Sequence, residues 1–233
     1  MPSRKPRIRV LVVDGHRAFA EALGIALGLE RGFEVEVAAT PQEAIEVADG
    51  DSPDVVLLDL DLRGAGGVAT ARRLKEAAPH AQVVAISARD EDVLRARAVA
   101  AGVVGFLSKT SSVPEIAAAV RRAHAGEPLM ELDEVNRLVR LLRRRRHQES
   151  TERQRVGRLT PRQTEILQMM ADGIPAPEIA ARLNMSPGTL RTHVQNIMTR
   201  LGTHRRVEAV SLAIRQGRVR PGVPPGDSGA DEP

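Results

Sequence analysis

The feature that most restricts this chain is an alternation running from residue 8 to about residue 125. Short apolar, β-branched runs at 8–13, 33–38, 55–59, 83–87 and 103–107 take turns with segments of helical spacing at 18–29, 42–48, 68–77, 91–101 and 114–125. Strands that are apolar throughout must be covered on both faces, and their regular alternation with helices predicts a parallel sheet between two helical layers. In such a sheet, ligands and chemistry collect at the carboxyl ends of the strands. Asp14, Asp59, Ser87 and Lys109 stand at or just past four of those ends. A helix cap explains an Asp or Ser after any one strand. It does not explain two acids, a hydroxyl and an ammonium converging on one edge.

Residues 159–219 carry a different pattern, helical throughout. Thr160-Pro161-Arg162-Gln163 is a capping box with Pro at the first helical position, opening a helix to about Ala171. A short helix runs from Pro177 through Leu183, Asn184-Met185 makes a turn, and Ser186-Pro187 caps the next helix. There Leu190, Val194, Ile197 and Leu201 form one stripe; Arg191, Thr192, Gln195 and Thr199 occupy the opposite face, with His193 and Arg200 on a flank. Two helices joined by a tight turn, the second apolar inside and hydrogen-bonding outside, is a helix-turn-helix design. Charge agrees: residues 159–220 hold 9 Lys+Arg against 4 Asp+Glu, whereas residues 1–126 hold 16 against 17. A basic patch in the second half is the footprint expected for nucleic acid.

Between them, Leu132, Val135, Val139 and Leu142 recur at three- and four-residue steps, and Arg143–Arg146 stand near the expected helix end, where cations suit the dipole. Such a stripe suits either a linker helix packed lightly on a neighbour or a short dimer seam. Residues 147–158 lack periodicity and read as a flexible tether. The expected layout is α/β plus all-α: a five-unit doubly wound parallel-sheet domain at 6–127, a linker helix and tether at 128–157, a helix-turn-helix domain at 158–220, and a disordered Pro-, Gly- and acid-rich tail at 221–233. With no Cys, disulfide and thiolate chemistry are excluded. No apolar run reaches the roughly 20 residues that span a bilayer, and the start lacks a signal-peptide pattern, so a cytoplasmic location without membrane partners is expected.

VVLLDL around Asp59 and GFLSK around Lys109 make residues 8–126 resemble a response-regulator receiver domain. LTPR, EIA, GTLRTHV and RLG make the last sixty or so residues resemble a LuxR-type helix-turn-helix, and the combination is similar to the NarL/FixJ class. The resemblance implies a two-component transcription regulator, not an enzyme, with double-stranded DNA, a second copy of the chain and a histidine kinase as partners. It implies Asp59 as phosphoacceptor and Asp14, Asp61, Ser87, Phe106 and Lys109 as the receiver pocket. Mg²⁺ would sit on Asp14, Asp59 and Asp61. On the DNA side it implies base contacts from Arg191, Thr192 and Gln195, phosphate contacts from His193, Arg200, Arg205 and Arg206, and a dimer contact on the helix 207–215 through Val210 and Ile214.

Two departures stand out. The family's second acid after the first strand, a direct Mg²⁺ ligand, is Gly15 here, and losing a carboxylate weakens binding of a cation that demands oxygen ligands. The Met-Pro-Gly found after the family's phosphoacceptor reads Leu62-Arg63-Gly64. A rival reading, in which Asp59-Leu60-Asp61 imitates the Asp-x-Asp of haloacid-dehalogenase-type phosphatases, puts that motif on the third strand instead of the first and leaves the second domain without a task.

Overall fold

A computed structural model describes residues 7–50, 52–62 and 66–222. The chain forms two compact units divided between Arg143 and Arg144. The first holds β1 (Ile8–Val13), α1 (Arg17–Leu29), β2 (Phe33–Ala38), α2 (Pro41–Gly50), β3 (Val55–Asp59), α3 (Gly67–Ala77), β4 (Gln82–Ser87), α4 (Asp92–Ala100), β5 (Val103–Ser108) and α5 (Val113–His124). The strands form one parallel sheet in the order β2-β1-β3-β4-β5.

The period of two along each strand divides the core. Leu11, Val13, Val56, Leu58, Val83 and Ala85 point to one face and pack on Ala44 and Ala48 of α2, Ala71 and Leu74 of α3, and Ala98 of α4. Their neighbours Val10, Val12, Val55, Leu57, Val84 and Ile86 point the other way, onto α1 and α5 through Leu23, Leu27, Ile116 and Val120. All five residues of β3 are buried, as expected of the central strand of a covered sheet. The strand order reverses between β1 and β3, and a crevice opens at such a switch point, beyond the strands' carboxyl ends. Asp14 and Asp59 stand there.

The second unit contains α7 (Pro161–Ala171), α8 (Ala176–Arg182), α9 (Pro187–Leu201) and α10 (Arg206–Arg215). Thr160 and Gln163 form the expected capping box, and the Ser186 hydroxyl accepts from the Thr189 N–H to cap α9. Asn184, at φ 50°, makes the tight turn between α8 and α9 in a left-handed conformation that Asn tolerates. The core joins Ile166, Leu167, Ile179, Leu190, Val194, Ile197, Leu201 and Leu212. On α10 the fully inward residues are Ala209, Leu212 and Ala213; Val210 and Ile214 are only half-buried.

The tether expected at 147–158 is not one. α6 (Leu132–Gly157) is a single helix of 26 residues. Its second half is rich in Arg, Gln and Glu, which favour helix without any apolar period, and no Gly or Pro interrupts it before Gly157. Solvation had removed the stripe, not the helix. The stripe itself is shifted: Leu138 is fully buried between half-buried Val135 and Val139, whereas Leu132, in the first turn, is 75% exposed. The expected disorder of the tail lies outside the described residues apart from 221 and 222, as do Arg63 and Gly64.

Candidate functional site

The site is built from strand ends. Asp14 follows β1, Asp59 closes β3, and both carboxylates are buried to within 1% of complete exclusion from solvent. Lys109 follows β5 and reaches back between them, its Nζ 2.6 Å from Asp14 Oδ2 and 3.0 Å from Asp59 Oδ2. These two oxygens meet the ammonium as charges, without a well-angled hydrogen bond. The other oxygens are held by the backbone: Asp14 Oδ1 accepts from His16 N at 2.8 Å, and Asp59 Oδ1 from Asp61 N at 3.0 Å. Burial pulls the Lys109 ammonium toward neutrality, but the combined pull of the two carboxylates prevails and raises its pKa above the usual value. The Phe19 ring, 5.1 Å from Nζ, covers the ammonium on another side. Gly67 brings α3 close to this edge, since any Cβ there would collide with the Leu60 backbone and the Asp59 carbonyl.

Of the expected pocket, Asp14, Asp59 and Lys109 come together. Ser87 ends the neighbouring strand β4, its Oγ accepting from Arg89 N at 3.0 Å and its carbonyl accepting from Lys109 N at 3.1 Å. Phe106 lies on β5 with the Arg95 guanidinium 4.6 Å from its ring centroid, and both line a cavity of about 360 Å³ with Ser87 and Arg89. Arg95 also pairs with Glu134 of α6, and Asp92 pairs with Arg137 at 2.6 Å, so α6 is fastened to α4.

Asp61 does not join. Its carboxylate turns to Arg89 at 3.5 Å, and the third side chain within reach of Asp14 and Asp59 is His16. The ligating atoms of Asp14, His16 and Asp59 lie within 4.8 Å of one another. In VVDGH the missing acid at Gly15 is the conspicuous signal, and it masks the imidazole one residue further on. Mg²⁺ prefers oxygen ligands in near-octahedral geometry. An imidazole nitrogen and two carboxylates already facing Lys109 fall one acid short of what the family pattern supplies. Gly15 is not imposed by the backbone: its φ is not positive, and a Cβ there would meet only Leu62 Cδ2, at an ordinary 3.7 Å.

In the second unit Arg191, Thr192 and Gln195 are exposed on α9, opposite the buried stripe, and His193 is half-buried. The Thr192 hydroxyl donates to Gly188 O at 3.1 Å, leaving its methyl and lone pairs outward. Among the described residues neither Arg191 nor Arg206 has an acidic partner. Arg200 differs from the expectation of a phosphate-seeking cation. Its Nη1 donates to Arg158 O at 2.8 Å and to Gln163 Oε1 at 3.2 Å, bracing α9 against the start of α7. Arg205 is 83% exposed beside Glu208.

Residues 10–121 match the family described as "Response regulator receiver domain", and residues 157–213 match "Bacterial regulatory proteins, luxR family". The response regulator protein VraR of Staphylococcus aureus is 32% identical over 216 residues, covering 91% of this chain and 99% of VraR. This chain belongs to the response-regulator family. The transcriptional regulatory protein DegU of Brevibacillus brevis is 27% identical over 226 residues, covering 92% of this response regulator and 96% of DegU. A LuxR-family two-component response regulator from Aurantimonas has a similar crystal structure, with a TM-score of 0.51 at 25% identity over 59% of this chain and 98% of that one. The chain is therefore a two-component response regulator with a LuxR-type DNA-binding domain, and its relatives are transcriptional regulators, not enzymes. Among the described residues no helix is long and apolar enough to cross a membrane.

Proposed function

We propose that this response regulator binds paired DNA half-sites as a homodimer and that its receiver works without conventional Mg²⁺-dependent phosphorylation of Asp59. The observation that carries the reading is the replacement of an acid by Gly15 beside two buried carboxylates that already share one lysine. Lys109 neutralises only one of the two carboxylate charges, and without a further acid the pocket offers Mg²⁺ few oxygen ligands. The receiver keeps its fold and is set by a protein partner, a histidine kinase included, by a small ligand or by dimerisation.

On DNA, Arg191, Thr192 and Gln195 read base edges in the major groove: Arg suits guanine, Gln adenine, and the Thr methyl the thymine methyl. His193, Arg205 and Arg206 serve phosphates, and Arg200 does so only with the guanidinium nitrogens its brace leaves available. The half-buried side of α10, with Val210 and Ile214 beside exposed Val207, supports a dimer contact. Incubation with a small phosphodonor and Mg²⁺, read by intact mass, tests the receiver part. The expected result is an unlabelled chain; stoichiometric labelling at Asp59 overturns it.

A further inference from the structure

We infer that Asp14, Asp59 and His16 form a site for a divalent transition-metal ion that accepts a nitrogen ligand, and that the site takes such an ion in preference to Mg²⁺. The inference rests on the reading that Gly15 bars conventional Mg²⁺ chemistry, and it gives the small ligand of that reading a chemical class. Both carboxylates are buried, yet Lys109 matches only one of their charges. A buried charge without a counterion is costly, and a bound cation relieves that cost. The two oxygens that face Lys109, Asp14 Oδ2 and Asp59 Oδ2, have no hydrogen-bond partner among the described residues. A carboxylate offers about four acceptor positions, so each acid keeps lone pairs beyond those spent on Lys109 and on the His16 or Asp61 N–H.

The third donor decides which ion suits the site. His16 is fixed at this edge by its backbone: its N–H donates to Asp14 Oδ1, and its carbonyl accepts from Phe19 N at 2.9 Å and Ala20 N at 3.1 Å. Its Nδ1 lies 3.4 Å from Asp14 Oδ1, and the three ligating atoms lie within 4.8 Å of one another. Zinc bonds to nitrogen and oxygen run about 2.0–2.2 Å, which sets neighbouring ligand atoms of a tetrahedral ion about 3.4 Å apart. The His16–Asp14 edge already has that length. The His16 side chain is 75% exposed, so a turn of the ring closes the wider gap without disturbing the core. Imidazole suits zinc, copper and nickel, whereas Mg²⁺ takes oxygen ligands. A glycine at 15 with an imidazole at 16 therefore changes the class of ion, beyond weakening one. Among the described residues no other three His, Asp or Glu side chains converge in this way.

The test titrates the full chain with Zn²⁺ alone and with Mg²⁺ alone, by calorimetry in a buffer that does not chelate metal, and repeats the Zn²⁺ arm with His16→Ala. The expected result is one equivalent of Zn²⁺ bound at least about 100-fold more tightly than Mg²⁺, and at least about a tenfold loss of Zn²⁺ affinity in the variant. NMR adds a readout of position. One equivalent of Zn²⁺ should shift the ring signals of the histidine that is missing from the His16→Ala spectrum. In the wild-type chain it should also move the amide signals of Asp14 and Asp59, which needs no variant. An unchanged Zn²⁺ affinity in His16→Ala, or ring shifts confined to another histidine, overturns the inference, because the ion then sits on a surface histidine. Failure of both ions to bind overturns it too, and leaves the reading of Gly15 standing. Mg²⁺ binding as tight as that of Zn²⁺ overturns both.

Discussion

The Arg95 guanidinium stacks on the Phe106 ring, 4.6 Å from its centroid, while its other side pairs with Glu134 at the start of α6. One side chain thus links Phe106 of β5 to α6. A movement of Phe106 displaces Arg95, and Arg95 cannot move without loosening Glu134. Arg95→Ala is expected to destabilise the receiver by about 1–2 kcal/mol, the cation–π contact and a partly buried ion pair being lost together. It should also speed amide exchange over the first turns of α6. Arg95→Lys should rescue little, because a compact ammonium cannot stack and fork at once. Unchanged exchange in α6 would mean that Arg95 does not couple Phe106 to the helix.

Lys109 pairs with two buried carboxylates, so its removal leaves uncompensated charge. Lys109→Met is expected to cost about 3–5 kcal/mol in receiver stability, measured by denaturant unfolding at neutral pH. The pH dependence has a definite sign. The folded pKa of Lys109 is raised above 10.5, so its contribution is fully present below the unfolded value and is lost only as pH climbs through the folded one. Lys109→Arg, which stays charged at such pH, should lack that alkaline loss. An identical alkaline limb in both proteins would count against it.

Gly15 can be replaced without strain. Gly15→Asp is expected to fold normally and to bind Mg²⁺ at least about tenfold more tightly by calorimetry, since it returns a carboxylate ligand to the site. No gain in affinity would mean that Lys109, and not the missing acid, limits the cation.

Arg191 and Arg200 lie nine residues apart on α9 and should behave oppositely. Arg191→Ala is expected to leave folding unchanged and to cost about 1–3 kcal/mol of DNA binding at one base position. Arg200→Ala removes the brace to Arg158 O and Gln163 and should cost about 1 kcal/mol of domain stability, seen as a lower Tm. Equal thermal stability of the two variants would refute the brace.

Much of this architecture is legible in the sequence. Apolar runs and helical spacing locate all five strands, and Thr160, Ser186 and their prolines locate the helix starts, because caps and periods are local signals. Convergence of Asp14, Asp59 and Lys109 comes from the geometry of a parallel sheet. Other features depend on side-chain direction. Nothing in the spelling of Asp59-Leu60-Asp61 says that Asp61 turns toward Arg89, and nothing in THVQNIMTR says that Arg200 folds back. The extent of α6 is hidden because a solvated helix needs no apolar stripe. The chain has three Phe and no Trp or Tyr, and each of the three rings, Phe19, Phe33 and Phe106, carries a cation, although only Phe19 covers the Lys109 ammonium.

The most direct measurement is DNA binding by the full chain and by its Asp59→Ala variant, each with and without a small phosphodonor plus Mg²⁺. A receiver that has kept its fold without phosphate chemistry predicts the same affinity for the wild-type chain in both conditions and no phosphodonor response in the variant. An affinity that rises with phosphodonor in the wild type and not in Asp59→Ala would contradict it, and would make Gly15 a tolerated departure in a conventional phosphorylation switch.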